Sequence, residues 1–121
     1  MYEFVSKIFL DSVLYDMDVT ADSSTIITAG TGKSASNRSE AIVSALQFNR
    51  SLKMVSEIIL DSIDAQAATC IKRIPGNNDF AVGCFKHLVL LRFSGSSFEI
   101  LNIINNVHSS KTFFLNFRYF L

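Results

Sequence analysis

FVSKIFLDSV, residues Phe4 to Val13, returns fifty residues later as MVSEIILDSI, residues Met54 to Ile63. Six of the ten positions are identical: Val5/Val55, Ser6/Ser56, Ile8/Ile58, Leu10/Leu60, Asp11/Asp61 and Ser12/Ser62. Apart from Lys7/Glu57, the other pairs exchange one apolar residue for another. A fainter copy, Phe98 to Ile104 (FEILNII), lines up with Leu52 to Ile58 (LKMVSEI) at a spacing of forty-six. Periods of about 40 to 50 residues mark repeat architectures, in which each unit is one supersecondary element that cannot bury its apolar face alone.

Between the copies the sequence changes period. Tyr15, Met17 and Val19 alternate with Asp16, Asp18 and Thr20, the pattern of a half-buried strand, and Asp22-Ser23-Ser24 is its turn. Thr25 to Gly30 is rich in β-branched residues and predicts a second strand. Thr31 to Glu40 (TGKSASNRSE) holds no large apolar residue and reads as a surface loop. AIVSALQF then gives a third strand, Asn49-Arg50-Ser51 a turn, and LKMVSEIIL a fourth strand.

The same order follows in different letters: Ala68 to Ile74, the turn Pro75-Gly76-Asn77-Asn78, Asp79 to Cys84, His87 to Phe93, the turn Ser94 to Ser97, and Phe98 to Ile104. Gly30 aligns with Gly83, Val43 with Val89 and Phe48 with Phe93. The spacing falls from fifty-three to forty-six between the first two pairs, which predicts seven inserted residues in the first unit's second-to-third strand loop. Lengthening a surface loop costs little. The expected organisation is an outer strand (2–10), a four-stranded unit (15–60), a second unit (68–104) and the start of another (112–120).

Four short antiparallel strands per unit of this length resemble the blade of a WD-repeat-like β-propeller. Phe48-Asn49 and Phe93-Ser94 stand where that family places its Trp-Asp pair, and His108 follows Val107 where a Gly-His pair would open a unit. The resemblance implies an all-β fold, an incomplete β-propeller built from four-stranded antiparallel blades. Propellers close with about four to eight blades. A chain carrying two and a half is therefore expected to be part of a longer propeller or a truncated product, and to self-associate through unpaired edges.

Eleven basic residues balance eleven acidic ones and lie scattered, so neither nucleic acid nor a membrane surface is an expected partner. No apolar run approaches the roughly 18 residues of a spanning helix. The amino-terminal stretch meets Glu3 and Lys7 early and lacks a small-residue cleavage site, a poor leader. Two cysteines without CxxC or Cys/His spacing suggest neither a disulfide scaffold nor a metal site. A reduced, cytoplasmic protein is expected. Glycosylation patterns at Asn37 and Asn49 are then expected to go unused.

Gly32-Lys33-Ser34 after a strand matches the end of a phosphate-binding P-loop. The first glycine of that motif would fall at Ile27, a β-branched residue that resists the phosphate wrap. A P-loop-like nucleotide-binding protein using this segment is the alternative functional reading. His87 and His108 lack spaced co-ligands, and Cys70 and Cys84 read as small core residues on neighbouring strands. Asp11-Ser12 and Asp61-Ser62 recur where turn caps are expected. The eleven phenylalanines fall mostly on strands and read as core. No catalytic, cofactor-binding or metal residue is therefore expected, and no cofactor. The expected function is a noncatalytic protein-interaction scaffold, with the Thr31 to Glu40 segment as the specific contact for a protein partner.

Overall fold

A computed structural model describes residues 12–33 and 37–105. The expected strands at 2–10 and 112–120, together with Asp11, Ser34 and His108, lie outside the described residues. Within them the chain is all-β, with eight strands and no helix. The strands are β1 (Ser12–Val19), β2 (Thr25–Lys33), β3 (Ser39–Asn49), β4 (Ser51–Ile59), β5 (Ala68–Arg73), β6 (Asp79–Cys84), β7 (His87–Phe93) and β8 (Phe98–Asn105). They form two four-stranded antiparallel sheets, β1-β2-β3-β4 and β5-β6-β7-β8, each a meander in chain order like a propeller blade.

Turn chemistry sets the registers. Asp22 organises the β1–β2 turn: its Oδ1 accepts Thr20 Oγ1–H at 2.8 Å, Ser24 N–H at 3.0 Å and Ser24 Oγ–H at 2.8 Å. These donors hold its carboxyl well below the usual carboxylate range, at about 2. Ser23 beside it takes a left-handed backbone, φ 61°. The β5–β6 turn uses Gly76 at φ 106° after Pro75, and Asn77 Oδ1 accepts the Asp79 N–H at 2.9 Å. Arg50 (φ 68°) and Lys86 (φ 65°) close the two tightest hairpins.

These turns also align the two sheets. Thr20 N donates to Thr25 O, and Ile74 N donates to Asp79 O, so the turns are equivalent. Thr25 pairs with Gln47 across β2–β3, and Asp79 pairs with Arg92 across β6–β7. Both pairs are bridged by side chains: Gln47 Nε2 reaches Thr25 Oγ1 at 3.3 Å and Arg92 Nε reaches Asp79 Oδ1 at 2.8 Å. The offsets are therefore 54 in the second strands and 45 in the third. Phe48 does correspond to Phe93, but Gly30 and Val43 correspond to Cys84 and Leu88, one residue from the expected Gly83 and Val89. The insertion in the first β2–β3 hairpin becomes nine residues.

Packing follows the same offsets. Ile27, Val43 and Ala45 face the second sheet, in one core with Phe80, Val82, Cys84, Val89 and Leu91. Their equivalents Ala81, Leu88 and Leu90 gather instead with Cys70 in a small second cluster. Because neighbouring strand residues point to opposite faces, that cluster occupies the other face of the second sheet. The sheets are stacked in the same sense, as successive blades are, rather than with equivalent faces together. Leu60, Ile63 and Ala65, on the connection between the sheets, complete the main core.

Two further expectations are corrected. β1 is half-buried with the opposite polarity from that of a simple amphipathic strand: Tyr15, Met17 and Val19 are exposed, at 55, 61 and 40%. Asp16 and Asp18 lie opposite Ala29 and Ile27, on the face turned toward the second sheet. There the carboxylates find backbone donors on β5, so burial is compensated by hydrogen bonds. The second correction concerns Thr31 to Glu40, which is not a loop throughout. Thr31–Lys33 continue β2, paired with Ser39–Ala41 of β3, and Ser12 and Val13 of β1 pair with Gly32 and Thr31 on the other side. A polar segment pairs here because its backbone completes a ladder already flanked by two strands.

Candidate interaction site

One end of the sheets carries the β2–β3 hairpin, the β6–β7 hairpin at Phe85-Lys86 and the β4–β5 connection, residues 60–67. At this end the first sheet differs most from the second, through the nine-residue extension. Strand β4 stops at Ile59, opposite Ile42, so Ser39 to Ala41 have no β4 partner. The connection takes its place. Ala41 accepts the Leu60 N–H at 2.8 Å and donates its own N–H to Ala65 O at 3.2 Å. Thr31 Oγ1 donates to Gln66 O, fixing the connection against β2 as well.

The returning chain leaves a cleft of about 170 Å³ lined by Arg38, Ser39, Glu40, Asp64, Ala65 and Gln66. Glu40 is the unusual member. Its side chain is only 8% exposed, whereas that of Arg38, whose Nε lies 4.0 Å from Glu40 Oε1, is 71% exposed. Across the strand Glu40 faces Gly32, which offers no side chain to cover the carboxylate. Asp64 lies on the rim. The arrangement can receive positive charge: a carboxylate sheltered from water interacts more strongly with a cation than one in bulk solvent.

Of the P-loop candidate, Gly32 and Lys33 are strand residues. Gly32 is paired on both sides, with Ser12 and Glu40, and Lys33 is paired with Ser39. Lys33 is exposed, and its Nζ donates to Ser39 Oγ at 3.3 Å. The following element is strand β3, not a helix. A backbone committed to a ladder has no free row of amides to wrap a phosphate.

His87 lies at the same end, its Nδ1 2.8 Å from Asn105 Oδ1. Cys70 and Cys84 are both buried, and neither is in a disulfide. Burial, with Cys70 nearby, pushes the Cys84 thiol up to about 12. Among the described residues no group of three or more His, Cys, Asp or Glu is placed to hold a metal ion. Among the described residues there is no helix long and apolar enough to cross a membrane. Phe80 and Phe93 are core residues, and Phe93 stacks at a tilt on the partly buried Phe98, centroids 5.0 Å apart. Phe48 and Phe85 depart from the core reading, at 49 and 58% exposed.

Sequence reasoning passed over Glu40, because it closes a run of small polar residues. The signal was the apolar run that starts at the next residue, Ala41-Ile42-Val43, which places Glu40 inside a strand rather than on a loop. The described residues thus define an all-β body of two blade-like sheets with one built-up rim. Compared with protein-family models, with curated proteins and with solved structures, the chain matches none.

Proposed function

We propose that this chain is a noncatalytic protein-interaction scaffold, part of a longer WD-repeat-like propeller working in the cytoplasm, with a protein as its partner. The observation that carries the reading is the β2–β3 hairpin, nine residues longer than its counterpart and held by the connection beneath it. An extension whose base is pinned at a sheet end supplies a distinctive contact at small cost to the scaffold. Same-sense stacking of the two sheets supports the propeller part of the proposal, since rotation about a propeller axis repeats faces in that way.

The test replaces residues 31–41 by a two-residue turn of the Phe85-Lys86 type in the longest available form of the protein, followed by quantitative crosslinking to its partners. Loss of one crosslinked partner with retention of the β-sheet spectrum is expected. An unchanged partner set would overturn the reading. The chain alone is expected to self-associate through unpaired sheet edges, and a monodisperse 13.5 kDa species in sedimentation would contradict that part. For the nucleotide-binding alternative, ATP or GTP binding that disappears in Lys33→Ala is the deciding result; strand pairing of Gly32 and Lys33 favours the interaction reading.

A further inference from the structure

The geometry points to a specific chemistry for the rim cleft: we propose that Glu40 anchors a single basic side chain, lysine or arginine, of the protein partner. The inference rests on the interaction reading and deepens it by naming what the partner presents. Its basis is the state of Glu40. More than nine-tenths of that side chain is removed from solvent, it lines the cleft, and its facing cation is Arg38 at 4.0 Å, beyond hydrogen-bond reach. Among the described residues no side chain donates a hydrogen bond to that carboxylate, so it keeps acceptor capacity for a cation. An incoming guanidinium or ammonium would supply the missing charge-assisted hydrogen bonds.

The cleft is fixed before any partner arrives. Its floor is strand β3, and its wall is the connection held by the Ala41–Ala65 and Ala41–Leu60 backbone bonds. Across the strand, Gly32 brings no competing side chain to the carboxylate. At about 170 Å³ the space holds the end of one long side chain, not a folded element. Asp64 on the rim adds a second negative charge. Arg38, with its side chain 71% exposed, occupies the position an incoming cation would contest.

This competition gives a test that a merely structural Glu40 would not satisfy. Three capped pentapeptides, Gly-Ser-Xaa-Ser-Gly with arginine, lysine or citrulline at the centre, are titrated into the whole chain. Binding is followed by amide NMR shifts of Ser39, Glu40, Ala41 and Gln66. Saturable shifts are expected with arginine or lysine and none with the neutral citrulline. Glu40→Gln should weaken the binding by at least about tenfold. Arg38→Ala should tighten it about two- to threefold by removing the resident competitor. Equal binding of citrulline, no saturable shift with either basic peptide, or weaker binding in Arg38→Ala would each overturn the proposal. Should Glu40→Gln disturb the fold, the arms with unaltered protein and with Arg38→Ala still decide. If replacing the hairpin abolishes a crosslinked partner while Glu40→Gln leaves that partner's affinity unchanged, the interaction reading stands and the Glu40 anchor falls.

Discussion

Asp18 reaches from the edge of β1 to the edge of β5, its Oδ2 accepting the backbone N–H of Arg73 at 2.7 Å. Its Oδ1 meanwhile accepts the N–H of Val19 at 2.8 Å, so one carboxylate ties both strand edges. Asp16 repeats the device two residues earlier, with Ile71 N–H at 3.0 Å and Met17 N–H at 2.9 Å. Edge strands present unpaired backbone groups that invite further pairing. Here the two carboxylates occupy donors on both edges and lock the sheets side by side. Charged acceptors make these bonds stronger than neutral ones, tempered by partial exposure. Asp18→Ala should therefore cost about 1 to 2 kcal/mol in urea denaturation, and Asp18→Asn less, because the amide oxygen still accepts one bond. An Asp18→Ala midpoint equal to that of the unaltered chain would show that the clip contributes nothing.

The clip also shows where sequence patterning is informative and where it misleads. Strand alternation in Tyr15 to Val19 was legible, but its buried side was not. Period two says that two faces differ, and it takes the neighbouring β5 edge to make the aspartate face the inner one. Turn positions were legible because Asp22, Pro75-Gly76 and Ser94-Gly95 carry their own conformational chemistry. The repeat offset was misread by one residue at Gly30 and Val43, since matching letters were weighed above matching turns. The Thr31 to Glu40 segment was misread because its pairing arises from backbone groups flanked by β1 and β3, which leave no apolar signature. Glu40 was lost with it.

Gly30 marks a close approach. β1 bulges between Leu14 and Asp16, and this brings the Val13 and Leu14 backbone over the Gly30 Cα. A Cβ there would press into the Val13 carbonyl oxygen and carbon, closer than real side chains come. Neither strand can shift without breaking its ladder, so Gly30→Ala should destabilise by about 2 to 3 kcal/mol. Gly95, at φ 100° with open space around it, offers a contrast: Gly95→Ala should cost about 1 kcal/mol, from backbone strain alone. Thermal unfolding of the two variants side by side checks the order, and a milder effect at Gly30 would contradict the bulge packing.

Asp22 sets an acid limb. Its carboxyl is lowered from 3.8 to about 2, first by the Ser24 hydroxyl, then by the Ser24 N–H and the Thr20 hydroxyl. A depressed folded-state value means that the contribution is fully present above the ordinary carboxylate range. It is lost as pH falls through about 2. Asp22→Asn should remove this dependence, so that its stability changes less than the unaltered chain's between about pH 4 and pH 2. Side-chain carboxyl NMR across that range reads the group directly, and an ordinary titration midpoint for Asp22 would show that the turn does not hold the ionised form.

Cys84 should report on opening of the core between the sheets. Its thiol is buried among Phe80, Val82 and Val89, and burial raises it to about 12, with Cys70 on the adjacent strand adding to the shift. The nucleophile is the thiolate, so two factors suppress reaction at neutral pH: scarcity of that form and lack of access. Labelling of Cys84 by a maleimide should then proceed only through opening of the core, with a rate that rises with urea in step with unfolding. Asp18→Ala, by loosening the join between β1 and β5, should accelerate that labelling in native buffer about five- to thirtyfold, matching its loss of stability. Mass spectrometry distinguishes Cys84 from Cys70 in the digest. Rapid labelling of Cys84 in the unaltered chain, independent of urea, would mean that the core between the sheets is open.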